Sequence, residues 1–284
     1  MPQLPQQRAL FVDGLRTRLF VGGPALAGEA VVFVHGSPGS ADDFLPLASA
    51  VSAFAPNITL DMPGFGEADK PRDFSYGVDA GAEYLGKVID RFAIRRAHLV
   101  LHDFGGAWGL TWAALNMPRL ASVTLMNCGL LPGYRWHNIA RIYRTPLLGE
   151  LFMRIMNRRG FRSALTQDSP RGLPADFVDT MYDHFDRDTR HAVLQLYRNT
   201  PDPGTRSETM RRTFGAIDRP ALVFWGSHDK YLPARFAEAQ REILPQAEIH
   251  VLEGSGHWPM IDNADAVRER LVPFLRTAVG GATG

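Results

Sequence analysis

The chain has 284 residues, 31 of them Lys or Arg and 30 Asp or Glu, with 45% hydrophobic residues. That length suits one large α/β domain with an insertion, or two small domains, and the balanced charge excludes a field that would select nucleic acid or a charged membrane surface. The single cysteine, Cys128, excludes an intrachain disulfide framework and fits a reducing compartment. Residues 1–10 lack the basic start and apolar stretch of a signal peptide. No apolar run is long enough to cross a bilayer, so a cytoplasmic protein is expected.

Taken in chain order, residues 8–22 read as an antiparallel hairpin turning at Asp13-Gly14. Short apolar, β-branched runs follow at 31–34, 57–62, 97–101, 121–127, 221–225 and 247–252. Helical patterns fall near 41–53, 76–92, 105–117, 233–243 and 264–277. The Gly/Ala-rich tail after Thr277 is expected to fray. Strands alternating with helices imply a mostly parallel sheet covered on both faces. The rhythm breaks from about Leu130 to Phe214, where Arg, Tyr, Phe and Met recur at helical spacing. We expect a helical insertion at 130–215 between two core segments, 1–129 and 216–284. Because ligands of open parallel sheets bind beyond the carboxyl ends of the strands, it reads as a lid. An ordinary helical subdomain with its own core would look similar.

The segment Leu99-Val100-Leu101-His102-Asp103-Phe104-Gly105-Gly106 carries the most chemistry. A buried strand ends, a polar residue follows, and two glycines open a helix, which is the setting of a nucleophile elbow. The helix N-terminus offers N–H groups and partial positive charge to an anion. Taken alone, Asp103 is also a favoured helix N-cap. Three further segments occur in order. His35-Gly36-Ser37-Pro38 follows the strand at 31–34, Gly226-Ser227-His228-Asp229 follows the strand after the insertion, and Gly254-Ser255-Gly256-His257-Trp258-Pro259 follows the last strand. Asp61-Met62-Pro63-Gly64-Phe65-Gly66 supplies a glycine turn whose expected role is structural.

These segments together resemble the α/β-hydrolase superfamily, and within it the branch with an aspartate nucleophile. Haloalkane dehalogenases and epoxide hydrolases carry His-Asp-Trp-Gly where this chain has His102-Asp103-Phe104-Gly105, and no G-x-S-x-G occurs. The resemblance covers about residues 8–128 and 218–278. It implies Asp103 as nucleophile, His257 as base and Asp229 as the acid that orients it. It also implies an oxyanion hole from the N–H groups of Ser37 and Phe104. Asn127, at the acid position used by some dehalogenases, is an amide and carries no charge, which favours Asp229. His228 reads as a surface neighbour of Asp229.

Leaving-group chemistry separates the activities. A halide needs only hydrogen-bond donors, usually indole N–H groups, yet Phe104 has no donor and the Asn of the H-G-x-P loop is Ser37 here. An arginine clamp for a chlorocarboxylate is likewise missing beside Asp103. An epoxide oxygen leaves as a strong base and needs a proton. Leu196-Tyr197-Arg198-Asn199 resembles the W-Y-R-N lid motif of epoxide hydrolases, with Tyr197 as donor and Tyr143 as a second one. Each tyrosine also fits plain packing within the insertion. Leu101 and the stretch Glu67-Ala68-Asp69-Lys70-Pro71 look dehalogenase-like instead. Epoxide hydrolysis is the first expectation, haloalkane dehalogenation the alternative, and a carboxylesterase-like hydrolase or a non-catalytic binding protein the minor ones. The substrate pocket is expected to include His35, Trp136 and Trp258 and to take a small hydrophobic substrate with water. No metal, cofactor, nucleic-acid or membrane partner is expected, and oligomeric state is not legible.

Overall fold

Val31, Val32, Phe33 and Val34 are all fully buried, as a strand covered on both faces requires. They belong to an eight-stranded sheet in a computed structural model that describes residues 4–26, 28–167, 169–214 and 217–280. The strands are β1 (Gln6–Val12), β2 (Leu15–Gly22), β3 (Glu29–Val34), β4 (Asn57–Leu60), β5 (Arg96–His102), β6 (Leu120–Met126), β7 (Ala221–Gly226) and β8 (Glu248–Leu252). β1 and β2 form the antiparallel hairpin at one edge, and β4-β3-β5-β6-β7-β8 are parallel. The mostly parallel sheet is the one expected from the alternation of elements, and its arrangement is the α/β-hydrolase fold that the resemblance implies.

Helices α1 (Leu45–Val51), α2 (Val78–Arg91) and α3 (Phe104–Leu115) lie between the early strands. Between β6 and β7 come α4 (Asn138–Arg144), α5 (Leu148–Ile155), α6 (Arg158–Thr166), α7 (Ala175–His184), α8 (Arg187–Asn199) and α9 (Pro203–Phe214). The chain ends in α10 (Pro259–Asp262) and α11 (Ala264–Gly280). α2 packs with α3 and α1 with α11, so two helix groups flank the sheet. Among the described residues, no helix is long and apolar enough to cross a membrane.

Two expectations change. The helix expected at 233–243 is a pair of 3-10 turns, Ala234–Phe236 and Glu238–Glu242, broken where Ala237 caps one and starts the other. The expected fraying after Thr277 does not begin there, because α11 continues to Gly280. The insertion boundary at 215–216 and the tail beyond Gly280 lie outside the described residues.

Because β3, β5, β6, β7 and β8 are parallel neighbours, the segments after them meet along one end of the sheet. At the same end, just past the last residue of β4, Arg18 and Asp61 form a buried pair at 2.8 Å. Asp61 also accepts the N–H groups of Ala41 (2.7 Å) and Glu67 (2.8 Å). The glycine turn that Asp61 begins is thus held to the neighbouring loops by a satisfied carboxylate.

Candidate active site

Asp103 stands between the last residue of β5 and the first of α3 with φ 48° and ψ −121°. A non-glycine residue in this region costs about 1–3 kcal/mol and persists where the surroundings enforce it. The enforcement is visible at two glycines. A Cβ on Gly105 would lie 2.2 Å from the Val34 carbonyl oxygen, and one on Gly36 would lie 2.3 Å from Asp103 Cβ. Only bare backbone lets the turn pass this close to β3.

The Asp103 carboxylate is held from two sides. Oδ1 accepts the Ser37 N–H at 2.8 Å, and Oδ2 lies 3.5 Å from His257 Nε2. Phe104 is the first residue of α3, so its N–H has no intrahelical acceptor. On the far side of the imidazole, His257 Nδ1 lies 2.7 Å from Asp229 Oδ2. Asp229 is fixed in turn, because its Oδ1 accepts the N–H groups of Tyr231 (2.8 Å) and Leu232 (2.9 Å). Three residues distant in sequence are therefore brought into one chain of contacts.

Charge follows from this geometry. Burial alone would lower the pKa of His257, but Asp229 and Asp103 raise it to about 10. Burial would raise that of Asp103, yet the hydrogen bond and charge of His257 bring it down to about 2. Both neighbouring carboxyl groups favour the charged form of the imidazole between them. His102, whose Nε2 contacts the His257 carbonyl oxygen at 2.8 Å, is pushed down to about 4 by burial and by the nearby His257, and stays neutral.

Asn127 does more than leave a position uncharged. Its Nδ2 donates to Asp229 Oδ2 at 2.5 Å, and its Oδ1 accepts the Gly226 N–H at 3.1 Å. It is a fully buried strut that orients Asp229.

A cavity of about 140 Å³ opens at Asp103. Its size is comparable with the roughly 150 Å³ of a cavity that holds one benzene molecule. Ser37, Phe104, Trp136, Tyr143, Tyr197, His257 and Trp258 all line it. His35 does not, which corrects its expected place in the pocket. His35 is fully buried, with Nδ1 on the Gly36 carbonyl oxygen at 2.6 Å and Nε2 accepting the Met62 N–H at 2.9 Å. It ties two loops together and has no ring nitrogen left for a substrate.

The wall facing Asp103 is built by α4 and α8. Apolar residues at helical spacing, among them Val193 and Leu196, turn one face of α8 inward and carry Tyr197 with them. Leu196, at the tryptophan position of the lid motif, is fully buried and lies off the cavity. The two tyrosine helices are cross-tied. Arg198 donates to the Tyr143 carbonyl oxygen at 3.0 Å, and Arg144 donates to that of Tyr197. The rings of Tyr143 and Tyr197 lie 5.2 Å apart, and the Tyr197 ring meets that of Phe104 edge-on at 5.0 Å. Burial raises the pKa of both phenols, and the Asp103 charge adds to the effect at Tyr197, so both keep their protons. Trp136 stacks on Phe104 with centroids 6.5 Å apart, and its Nε1 is buried without a hydrogen-bond partner among the described residues.

Sequence reasoning missed His137 and Tyr231. His137 caps α4, its Nδ1 accepting the Ala140 N–H at 3.1 Å. That bond places the proton of the neutral ring on Nε2. Burial holds the His137 pKa down to about 4 despite the nearby Asp103, so the ring is an N–H donor on the cavity wall. The signal was a His at a helix start directly after Trp136. Tyr231 lies edge-on to His257, with ring centroids 5.1 Å apart, and gave no sequence signal beyond its nearness to Asp229.

A model described as the alpha/beta hydrolase family matches residues 31–270. The chain belongs to this family. Curated relatives of the hydrolase include a 2-hydroxy-6-oxononadienedioate/2-hydroxy-6-oxononatrienedioate hydrolase of Burkholderia vietnamiensis, 26% identical, with 93% of each chain covered. Another is a cis-3-alkyl-4-alkyloxetan-2-one decarboxylase of Shewanella oneidensis, 27% identical over 87% of this chain and 82% of the relative. Among solved structures, the haloalkane dehalogenase DbeA of Bradyrhizobium elkani superposes with a TM-score of 0.85 at 24% identity, covering 98% of this hydrolase and 99% of that chain. The epoxide hydrolase CorEH gives 0.81 at 16% identity, covering 95% and 98%. At these identities the likeness to solved structures is one of fold.

Proposed function

We propose that the hydrolase opens small hydrophobic epoxides to diols through a covalent ester on Asp103. The observation that carries this reading is the pairing of a carboxylate with protonated phenols. Asp103 is an anion at the cavity floor, while Tyr197 and Tyr143 line the same cavity with their protons held by raised pKa values. A carboxylate attacks an sp³ carbon, and a ring oxygen leaving as alkoxide takes a proton from a phenol.

In the first step an Asp103 oxygen bonds to an epoxide carbon, the C–O bond breaks, and Tyr197 gives its proton to the ring oxygen. Tyr143 and the His137 Nε2–H stand by as further donors. The products are a hydroxyalkyl ester and a tyrosinate. Esterification removes one of the two carboxylates that raise the His257 pKa, so the imidazolium passes its proton to the tyrosinate. Neutral His257 then takes a proton from water, which attacks the ester carbonyl. The N–H groups of Ser37 and Phe104 receive the oxyanion. Collapse expels the diol oxygen, which takes the proton of the regenerated Asp103 carboxyl. Asp103 anion, His257 imidazolium and Tyr197 phenol are all restored.

One relative is named for an oxetan-2-one, another strained ring with a C–O bond at an sp³ carbon. That name fits a strained-ring electrophile, whereas the other relative is named for an acyclic dienedioate, so the ranking rests on Asp103 and the two phenols. A second reading, haloalkane dehalogenation, is favoured by the unpartnered Trp136 Nε1 on the cavity wall. One indole with no donor at Phe104 is a thin halide site, so we rank it second. A panel of epoxides, haloalkanes and aryl esters tests the ranking. The expected order of kcat/KM is epoxide, then haloalkane, then ester. Haloalkane turnover matching or exceeding that of epoxides would reverse the first two.

A further inference from the structure

The cavity wall is mostly apolar, but one guanidinium belongs to it. Arg206 stands on α9 between Pro203 and Met210, and all three line the cavity. Its side chain is 17% exposed. Nη2 donates to Thr111 Oγ1 on α3, and that hydroxyl donates onward to the Ala107 carbonyl oxygen. The carboxylate nearest this guanidinium, that of Asp79, lies 3.6 Å from the same Nη2 and is itself 87% exposed, so solvent screens it. Burial outweighs its pull and lowers the Arg206 pKa. The decisive atom is Nε, which is buried and has no hydrogen-bond partner among the described residues. A buried donor on a charged group left without an acceptor is uncommon unless something else fills the place.

Its position gives the ligand a length and a direction. Thr111 lies eight residues beyond Asp103 along α3, a rise of ~12 Å. Arg206 therefore marks the end of the cavity remote from the reacting carboxylate. The near end carries the Asp103 carboxylate, held in its charged form by His257, which repels a second anion. The far end carries a guanidinium whose neighbouring carboxylate, that of Asp79, is largely exposed to solvent.

We propose that Arg206 is a substrate-binding residue, and that the cavity takes a substrate with its electrophilic carbon at Asp103 and a carboxylate at Arg206. The carboxylate accepts from Nε and the adjacent Nη2, the side-by-side arrangement for which a guanidinium is shaped. On the reaction proposed above, which this inference deepens, the substrate is a short epoxy acid whose ring lies away from its carboxyl end. The alternative is that Arg206 only ties α9 to α3 through Thr111, which requires no preference among ligands.

The test uses unreactive ligands, so it stands apart from the reaction. Calorimetric titration of the full chain compares hexanoate with hexanamide, equal in length and differing in charge. Hexanoate is expected to bind about tenfold more tightly than the amide, as for a charge-assisted pair. Arg206→Met is expected to bring the two affinities together, and Arg206→Lys to restore part of the difference. Equal affinities in the wild type overturn the proposal, as does a carboxylate preference that survives in Arg206→Met. Thermal melts show whether each variant is folded; if Arg206→Met is not, the wild-type ratio and Arg206→Lys decide. Hexanoate preference without epoxide turnover would refute the reaction while leaving this subsite standing.

Discussion

Replacing His257 with alanine is expected to halt the hydrolase after one chemical event, leaving a stable ester on Asp103. Attack on the substrate needs the Asp103 anion, which the Ser37 N–H still holds in place, and the Tyr197 proton, neither of which His257 supplies. Release needs a base for water, and in the structure the imidazole beside Asp103 is the one tied to a second carboxylate. Steady-state kcat is expected to fall by roughly 10²–10⁴ or more. One equivalent of adduct should appear by mass on the peptide containing Asp103. The same logic gives a pH signature in the unaltered enzyme. Asp103 stays ionised down to about pH 2, so alkylation persists into acid. Hydrolysis requires neutral His257, whose pKa drops below its resting value of about 10 once Asp103 is esterified. As pH falls, release slows before attack does, and quenched-flow samples should hold more ester at acid pH than at neutral pH. Equal ester levels across that range would count against the role of His257.

Tyr197→Phe is expected to slow ring opening by roughly 10²–10⁴, the usual worth of one general acid. Tyr197 is the tyrosine whose ring meets Phe104, next to Asp103 in sequence, and a phenylalanine keeps its ring contacts while removing the proton. Haloalkanes need no proton at the leaving group, so any turnover of them should change little. The selective loss is what a packing role would not produce. Tyr143→Phe and changes at His137 are expected to have smaller effects, because those groups are secondary donors. Pre-steady-state measurement of adduct formation reads the step directly, and an unchanged epoxide rate in Tyr197→Phe would remove this residue from the chemistry.

The core was legible because its strands are unusually plain. Runs such as 31–34 and 97–101 are buried on both faces, so a continuous apolar stretch ending in a polar residue marks both the strand and the point where the site begins. The turns were legible for a steric reason, since Gly36 and Gly105 leave no room for a side chain. His35 misled because its motif position suggested a pocket, whereas its two ring nitrogens are consumed by Gly36 and Met62. Asn127 was read by what it lacks, a charge, and not by what its amide donates to Asp229. His137 and Arg206 were hidden because periodicity within the insertion shows which face of a helix is apolar, but not which neighbouring helix that face meets. Their roles arise from contacts between segments far apart in sequence, Arg206 with Thr111 and the His137 ring with those of Tyr197 and Tyr231.

The Asp103 carboxylate, and not water, is expected to make the first bond to the substrate. A single turnover in water enriched in heavy oxygen, with enzyme in excess over an epoxide, tests it most directly. If Asp103 attacks, the new diol oxygen comes from its carboxylate, so the diol is unlabelled and the Asp103 peptide gains one heavy oxygen. A diol carrying the heavy oxygen after that first turnover, with Asp103 unlabelled, would show direct attack by water and contradict the account.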